Sequence, residues 1–266
     1  MDGHDNLNTG DRLHTLYLDC STGVSGDMLL AALGHALEEF SGEGEGFSRL
    51  DKDLRTLGLH GFDLEWSVKH IAGITTHHVD VVQTANQPLR HYTDIKGLIE
   101  GSGLGGRARE RSIRALRLLG EAEAKVHGVD LEMVHFHEIG AVDTIVDICG
   151  TMLLLDALDI DSVTCSPVDL GSGFVRCAHG KLPVPAPACA ELAKGLTTFG
   201  SDCSMERATP TGLAILRTVV DGFGSLPLGT VKAVGYGSGT RSSKEQPTFV
   251  RAMLLAEHGT RGTDRV

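Results

Sequence analysis

Apolar residues recur along this chain with two different periods, and the switching between them outlines its elements. Leu16-Tyr17-Leu18 is a short apolar run that ends at Asp19. A turn-rich stretch follows from Cys20 to Gly26, and from Asp27 to Phe40 apolar residues return every three to four positions. That order predicts a strand, a Gly-rich loop and a helix. Ser41-Gly42-Glu43-Gly44-Glu45-Gly46 reads as an acidic linker, followed by a short helix over 50–57. Polar and apolar residues alternate from Phe62 to Val82, as in a pair of strands. Helical spacing resumes from Thr93, from Gly106, and from about Glu138 to Leu158.

After Asp161 the elements become shorter. Strands are expected over 163–175 around Gly171-Ser172-Gly173, and prolines at 183, 185 and 187 hold the next stretch extended. Helices over 188–194 and 211–220 precede two last strands, over 231–236 and 249–255. This mixture predicts an α/β or α+β fold with mixed sheet elements and several helices. It is either one unit or two lobes divided near residue 160. Residues 1–15 are expected to be a disordered N-terminal segment, 16–256 the folded part, and 257–266 a polar tail.

Composition narrows the partners. The 266 residues are 41% hydrophobic and 22% charged, an ordinary globular balance. Lys+Arg number 24 against 35 Asp+Glu, so the net charge of -11 has the wrong sign for coating nucleic acid or anionic lipid. Neither nucleic acid nor membrane is therefore an expected partner, and no apolar run approaches the ~20 residues of a membrane span. The first dozen residues lack a basic start and an apolar stretch, and the six cysteines contain no C-x-x-C pair. Both features suit reduced thiols in the cytoplasm.

The densest chemistry lies in Val134-His135-Phe136-His137-Glu138-Ile139-Gly140-Ala141-Val142-Asp143-Thr144-Ile145-Val146-Asp147. If 135–137 is extended, both imidazoles project from one face. The helix that follows is apolar nearly all round, which marks it as buried. Asp143 and Asp147 stand one turn apart on it, a like-charge spacing that costs about 0.2–0.5 kcal/mol even when exposed. Burial raises that cost. Either arginines such as Arg176 or Arg207 offset it, or a cation does. Two imidazoles and up to three carboxylates suit Ni, Zn, Mn or Fe.

Asp19-x-x-x-Gly23-x-Ser25-Gly26-Asp27 is a Gly-rich loop between strand and helix, an arrangement that turns backbone N–H groups toward an anion. It has no Walker lysine and is not G-x-G-x-x-G. The two acids favour a phosphate bridged by a metal, or a metal alone; the alternative is a tight turn with Ser25 as helix cap. His179, the Thr209-Pro210-Thr211-Gly212 turn and Gly235-Tyr236-Gly237-Ser238-Gly239 are weaker signals in loops. The turn could simply start a helix, and the glycines could admit a ligand's close approach or form a bulge. Arg107, Arg111 and Arg114 share a helical face that reads as solvated.

Five blocks, in order, resemble the LarC-type nickel insertion proteins: Leu18 to Met28, Val134 to Gly150, Gly171 to Ala188, Thr209 to Gly212 and Gly235 to Arg241. The resemblance implies nickel insertion into pyridinium-3,5-bisthiocarboxylic acid mononucleotide by a cyclometallase of the lyase class, with CTP and a divalent metal. The nickel ends bound by two sulfurs and the ring carbon between them, whose proton leaves. Nickel(II) is then expected at His135, His137, Glu138, Asp143 and Asp147, with Asp19, Asp27 and His179 as catalytic groups. Gly23, Ser25, Gly26, Thr209, Thr211, Gly235, Gly237 and Gly239 are expected to hold the substrate and its phosphate. The family's C-terminal, CTP-associated domain has no counterpart here, so a separately encoded polypeptide is an expected partner, as is a second copy in a homo-oligomer. A non-catalytic nickel carrier and a metal-dependent phosphohydrolase are the competing readings.

Overall fold

Burial on both faces explains why the first strand is an apolar run rather than an alternation. In the computed structural model, which describes residues 14–42, 44, 46–85, 90–134, 136, 142–177, 179–240 and 246–256, β1 (His14–Asp19) has Leu16 and Leu18 essentially unexposed. It is followed by α1 (Gly26–Ser41), α2 (Phe47–Arg55), β2 (Phe62–Ile71) and β3 (Ile74–Gln83). Then come α3 (Tyr92–Glu100), α4 (Gly106–His127) and α5 (Val142–Ala157). The rest comprises β4 (Ile160–Cys165), β5 (Val168–Asp169), β6 (Phe174–Cys177), β7 (Gly180–Pro183), α6 (Pro187–Leu192) and β8 (Thr198–Phe199). It closes with α7 (Pro210–Val219), β9 (Gly222–Phe223), β10 (Thr230–Ser238) and β11 (Phe249–Ala256).

Seven strands form one mixed sheet in the order β2-β3-β10-β11-β1-β4-β9. β1 runs parallel to β4 and antiparallel to β11, so the strand last in sequence lies near the middle of the sheet. Helix α1 lies across β10, β11 and β3, and α5 packs against α1, α4 and α7. The fold is α/β. A single apolar core runs from Leu16 to Leu254. The division considered near residue 160 falls where β4 begins, and both sides of it contribute to the same sheet.

Several boundaries differ from expectation. Strand β1 starts at His14, inside the segment expected to be disordered; the rest of that segment, and the tail from 257, lie outside the described residues. Helix α2 begins at Phe47, three residues early, because Leu50 and Leu54 are the pair that faces the core. The proline-rich stretch after Cys177 starts as a true strand: β7 pairs with β6 as a hairpin, with Pro183 at its end, where no ladder N–H is lost.

Two histidines stack where α1 meets β3. The His35 and His77 rings are 3.7 Å apart. Trp66 Nε1 donates to His77 Nδ1 and the Tyr236 N–H donates to His35 Nδ1, so each ring carries its proton on Nε2. Burial lowers the pKa of both, and the neighbouring His35 helps push His77 down to about 4. The unfolded chain therefore takes up this proton first. Stability is expected to fall as pH drops from 6.5 towards about 4, and a His77→Gln variant should show a smaller fall when melting temperatures are compared across that window.

Candidate functional site

A cleft of about 710 Å³ opens where the first turns of α1, α5 and α7 come together, walled elsewhere by β3, the last turn of α4 and the β6–β7 hairpin. Ser25 has the extended backbone of a helix N-cap, which turns the loop after β1 into α1. Gly26 then lets the two helix starts touch: a Cβ at 26 would sit 2.4 Å from Asp147 Oδ2. The contact brings Asp27 of α1 up to Asp143 and Asp147 of α5.

These three carboxylates are differently supported. Asp27 Oδ1 accepts from the Met28 N–H (2.8 Å) and from Ser25 Oγ, while Oδ2 accepts from the Thr240 N–H (3.1 Å). Asp143 Oδ1 accepts from the Thr144 N–H (2.7 Å). For Asp147 no hydrogen-bond donor is found among the described residues. Burial raises the Asp143 carboxyl, and Asp27 raises it further against two backbone donors. Asp147 is pushed well above the usual carboxylate range, first by burial and then by the charges of Asp27 and Asp143. Its carboxylate is only half-buried by surface, because one side opens to the cleft, yet protein surrounds it in the other directions. Beyond burial, Asp27 raises both α5 carboxyls and Asp143 raises that of Asp147, and no cationic side chain pairs with the three acids among the described residues.

Arg207 does not supply a counter-charge. Its buried guanidinium lies 3.2 Å from Asp169 Oδ2 and donates to the Thr22 carbonyl, Thr248 Oγ1 and Gln246 Oε1. Arg176, exposed on the cleft wall, has no acid within ion-pair reach among the described residues. The reading in which Arg207 neutralises the α5 acids is thereby corrected: Arg207 ties together the loops beneath the cleft instead.

The other expected residues fall into three groups. Ser25, Gly26, Asp27, Thr209, Thr211, His179 and Gly239 border the cleft with Asp143 and Asp147. Thr209 also caps α7, accepting from the Gly212 N–H. Asp19, Gly23, Gly235 and Gly237 lie off the cleft wall. Asp19 pairs with Arg251 at 2.6 Å and accepts from Ser21; burial raises its carboxyl, but these donors outweigh burial and leave it below the usual value. Gly23 has φ +109, and an added Cβ would lie 2.3 Å from the Arg207 carbonyl oxygen, a position only glycine fills without strain. Gly235 and Gly237 admit a close backbone approach, but the backbone is that of α1: added Cβ atoms would lie 1.8 Å from Ala32 O and 2.1 Å from Met28 O. His135, His137 and Glu138 lie outside the described residues. Among the described residues, no three His, Cys, Asp or Glu side chains form a group able to hold a metal ion.

Two cleft features went unread in the sequence. Asp80 of β3 stands on the wall, backed by the buried His78, and Glu123 of α4 lies 3.3 Å from His127. The His77-His78 pair was a visible signal for the first; alternation along the strand concealed which ring faced inward.

The sequence profile described as nickel insertion protein matches residues 16–266, and the chain belongs to that family. It is 38% identical over 252 residues to the pyridinium-3,5-bisthiocarboxylic acid mononucleotide nickel insertion protein of Geobacillus kaustophilus, covering 91% of this chain and 60% of that one. It is 42% identical to a candidate nickel insertion protein of Geotalea daltonii, covering 91% and 61%, and 45% identical to one of Pelobacter propionicus, covering 92% and 62%. The chain thus spans about three fifths of the length of these relatives. No solved structure matches it. No helix among the described residues is long and apolar enough to cross a membrane.

Proposed function

We propose that this chain inserts nickel(II), as a substrate, into pyridinium-3,5-bisthiocarboxylic acid mononucleotide. The observation that supports the reading is the approach of Asp27, Asp143 and Asp147 to one another at the cleft, three mutually repelling acids that do not by themselves form a group able to hold a metal ion. Carboxylate oxygens hold a first-row divalent ion and then release it to softer sulfur donors, which is the direction insertion requires. His135, His137 and Glu138 complete the donor pool from which three or four ligands are drawn. The first turns of α1 and α7, with Ser25 and Thr211, offer N–H groups and hydroxyls for the mononucleotide's phosphate. His179, Gly239 and Arg176 border the same space.

Insertion between the 3- and 5-thiocarboxylates places the metal over the ring carbon between them. The C–H bond there breaks, its electron pair forms the carbon–nickel bond, and the proton must go to a base. Nickel remains divalent throughout. Asp27 and His179, which border the cleft outside the proposed ligand pool, are the candidate bases in this reading. Enzymatic turnover of the lyase kind, and any need for CTP with a divalent metal or for a separately encoded domain, belong to the same proposal.

Calorimetric titration of chelator-stripped protein with nickel tests the ligand set. Near-stoichiometric binding is expected for the wild type, with a loss of tenfold or more in Asp143→Ala/Asp147→Ala and in His135→Ala/His137→Ala. Equal binding by all three proteins would remove the ligand assignment. Formation of the nickelated nucleotide from nickel and the thiolated substrate separates insertion from simple metal carriage.

A further inference from the structure

His78 of β3 is fully buried, and both of its ring nitrogens face oxygen atoms. Nδ1 lies 2.7 Å from the Ser238 carbonyl oxygen, an atom that can only accept, and Nε2 lies 2.9 Å from Asp80 Oδ1. A neutral imidazole has one N–H, so beside a carboxylate it would leave one of these contacts without a proton. Protons on both nitrogens satisfy both, which sets an imidazolium against the Asp80 carboxylate.

The two ends of this pair are unequal. The His78 end is fixed: Ser238 is itself buried, its Oγ accepts from Thr76 Oγ1 (2.9 Å) and donates to the His77 carbonyl, and the adjoining Gly237 pairs with His77 across the β3–β10 seam. Asp80, by contrast, has a side chain 47% exposed and stands on the cleft wall. Its Oδ2 has no partner among the described residues. It is also a different kind of acid from the group at α1 and α5. Those carboxylates repel one another; Asp80 has a buried positive charge behind it and keeps its negative charge turned to the cleft.

Such a pair leaves one carboxylate oxygen turned to the cleft. What it offers is a fixed anion to a positively charged ligand. The mononucleotide named in the previous section carries a permanent positive charge on the pyridinium nitrogen, across the ring from the carbon between its two anionic thiocarboxylates, while its phosphate is drawn to the helix ends. We propose that Asp80, backed by the buried His78, selects ligands with a cationic aromatic ring for this cleft. The inference rests on the reading of the cleft as a pyridinium mononucleotide site.

Nicotinamide mononucleotide and its reduced dihydropyridine form test it, since they share a size and differ in ring charge. Calorimetry on the wild type is expected to show about fivefold tighter binding of the oxidised form, the size of one partly solvated charge pair. Asp80→Asn, whose amide can still donate to a neutral His78, should abolish the preference and leave the reduced form's affinity unchanged. In parallel, nitrogen-15 NMR of the wild-type His78 ring should show both nitrogens protonated at neutral pH. Equal affinities in the wild type, an undiminished preference in Asp80→Asn, or a neutral His78 each overturn this inference alone. Failure of the wild type to bind either nucleotide overturns the mononucleotide reading as well. Should Asp80→Asn fail to fold, the wild-type preference and the NMR state of His78 still decide.

Discussion

Gly235→Ala is expected to cost about 3 kcal/mol or more of stability, since its added carbon would make the shortest contact of any among the described glycines. In β10 the Cα of Gly235 faces helix α1, and the new carbon would sit 1.8 Å from the Ala32 carbonyl oxygen and 2.6 Å from the Ala36 nitrogen. Both are backbone atoms of a helix, so no rotamer change relieves the overlap. Helix α1 must lift from the sheet, which parts a core that includes Leu29, Leu33 and Ala36. With total stabilities of about 5–15 kcal/mol for a folded domain, such a loss removes a large share. Gly97→Ala in α3 is the matched control: nothing lies within 4 Å of the added carbon, and a gain of about 0.5–1 kcal/mol is expected from helix propensity. Urea unfolding of the three proteins, compared by midpoint, checks both signs. A Gly235→Ala midpoint equal to that of the wild type would contradict the seating of α1 on β10.

Asp147→Asn is expected to stabilise the metal-free protein while weakening nickel binding at least tenfold. The first effect follows from the raised Asp147 carboxyl: burial, Asp27 and Asp143 all penalise its charge in the folded state. A group with a raised folded pKa contributes stability below its unfolded pKa, and that contribution is lost as pH rises through the folded value. Removing the charge at neutral pH therefore returns about 1–2 kcal/mol, the usual gain at a strained functional site. The wild type itself should gain stability as pH falls through the raised range toward 3.8, and the variant should lack most of that gain. The second effect follows because a metal ligand must be deprotonated, so nickel affinity in the wild type should decline over the same acidic window. Melting temperatures with and without nickel, measured across pH, read both. A variant no more stable than the wild type without metal would show that the three acids are already compensated.

Periodicity made the regular elements legible. Strands β2 and β3 alternate because each has one covered face, and α1, α4 and α7 show helical spacing because each buries one stripe. The order of strands was not legible, since the pairing of β1 with β11 joins residues more than two hundred positions apart. Two-residue strands such as β5, β8 and β9 carry no period at all. At the site, Asp143 and Asp147 stood out because like charges one turn apart on an apolar helix demand an explanation. Asp27 was visible as part of the loop. The sequence did not reveal that Asp19 is neutralised by Arg251, or that Arg207 serves Asp169, because those partners meet only once the sheet has formed. Asp80 looked like one more polar residue in an alternating strand. Its significance came from the ring behind it, whose two acceptors are a neighbouring side chain and the backbone of a strand 160 residues away.

The position of β11 between β10 and β1 bears on how the chain is born. A ribosome releases residues 249–256 after every other strand of the sheet, yet β1 and β10 can join only through them. Until they emerge, each of those strands exposes an unpaired edge, the kind of surface on which nascent chains associate wrongly. The loop just before β11 supplies the Gln246 and Thr248 oxygens that hold Arg207 beneath the cleft. Emergence of β11 therefore closes the sheet and sets the floor of the cleft in one event, so a chain released only as far as β10 has no finished cleft.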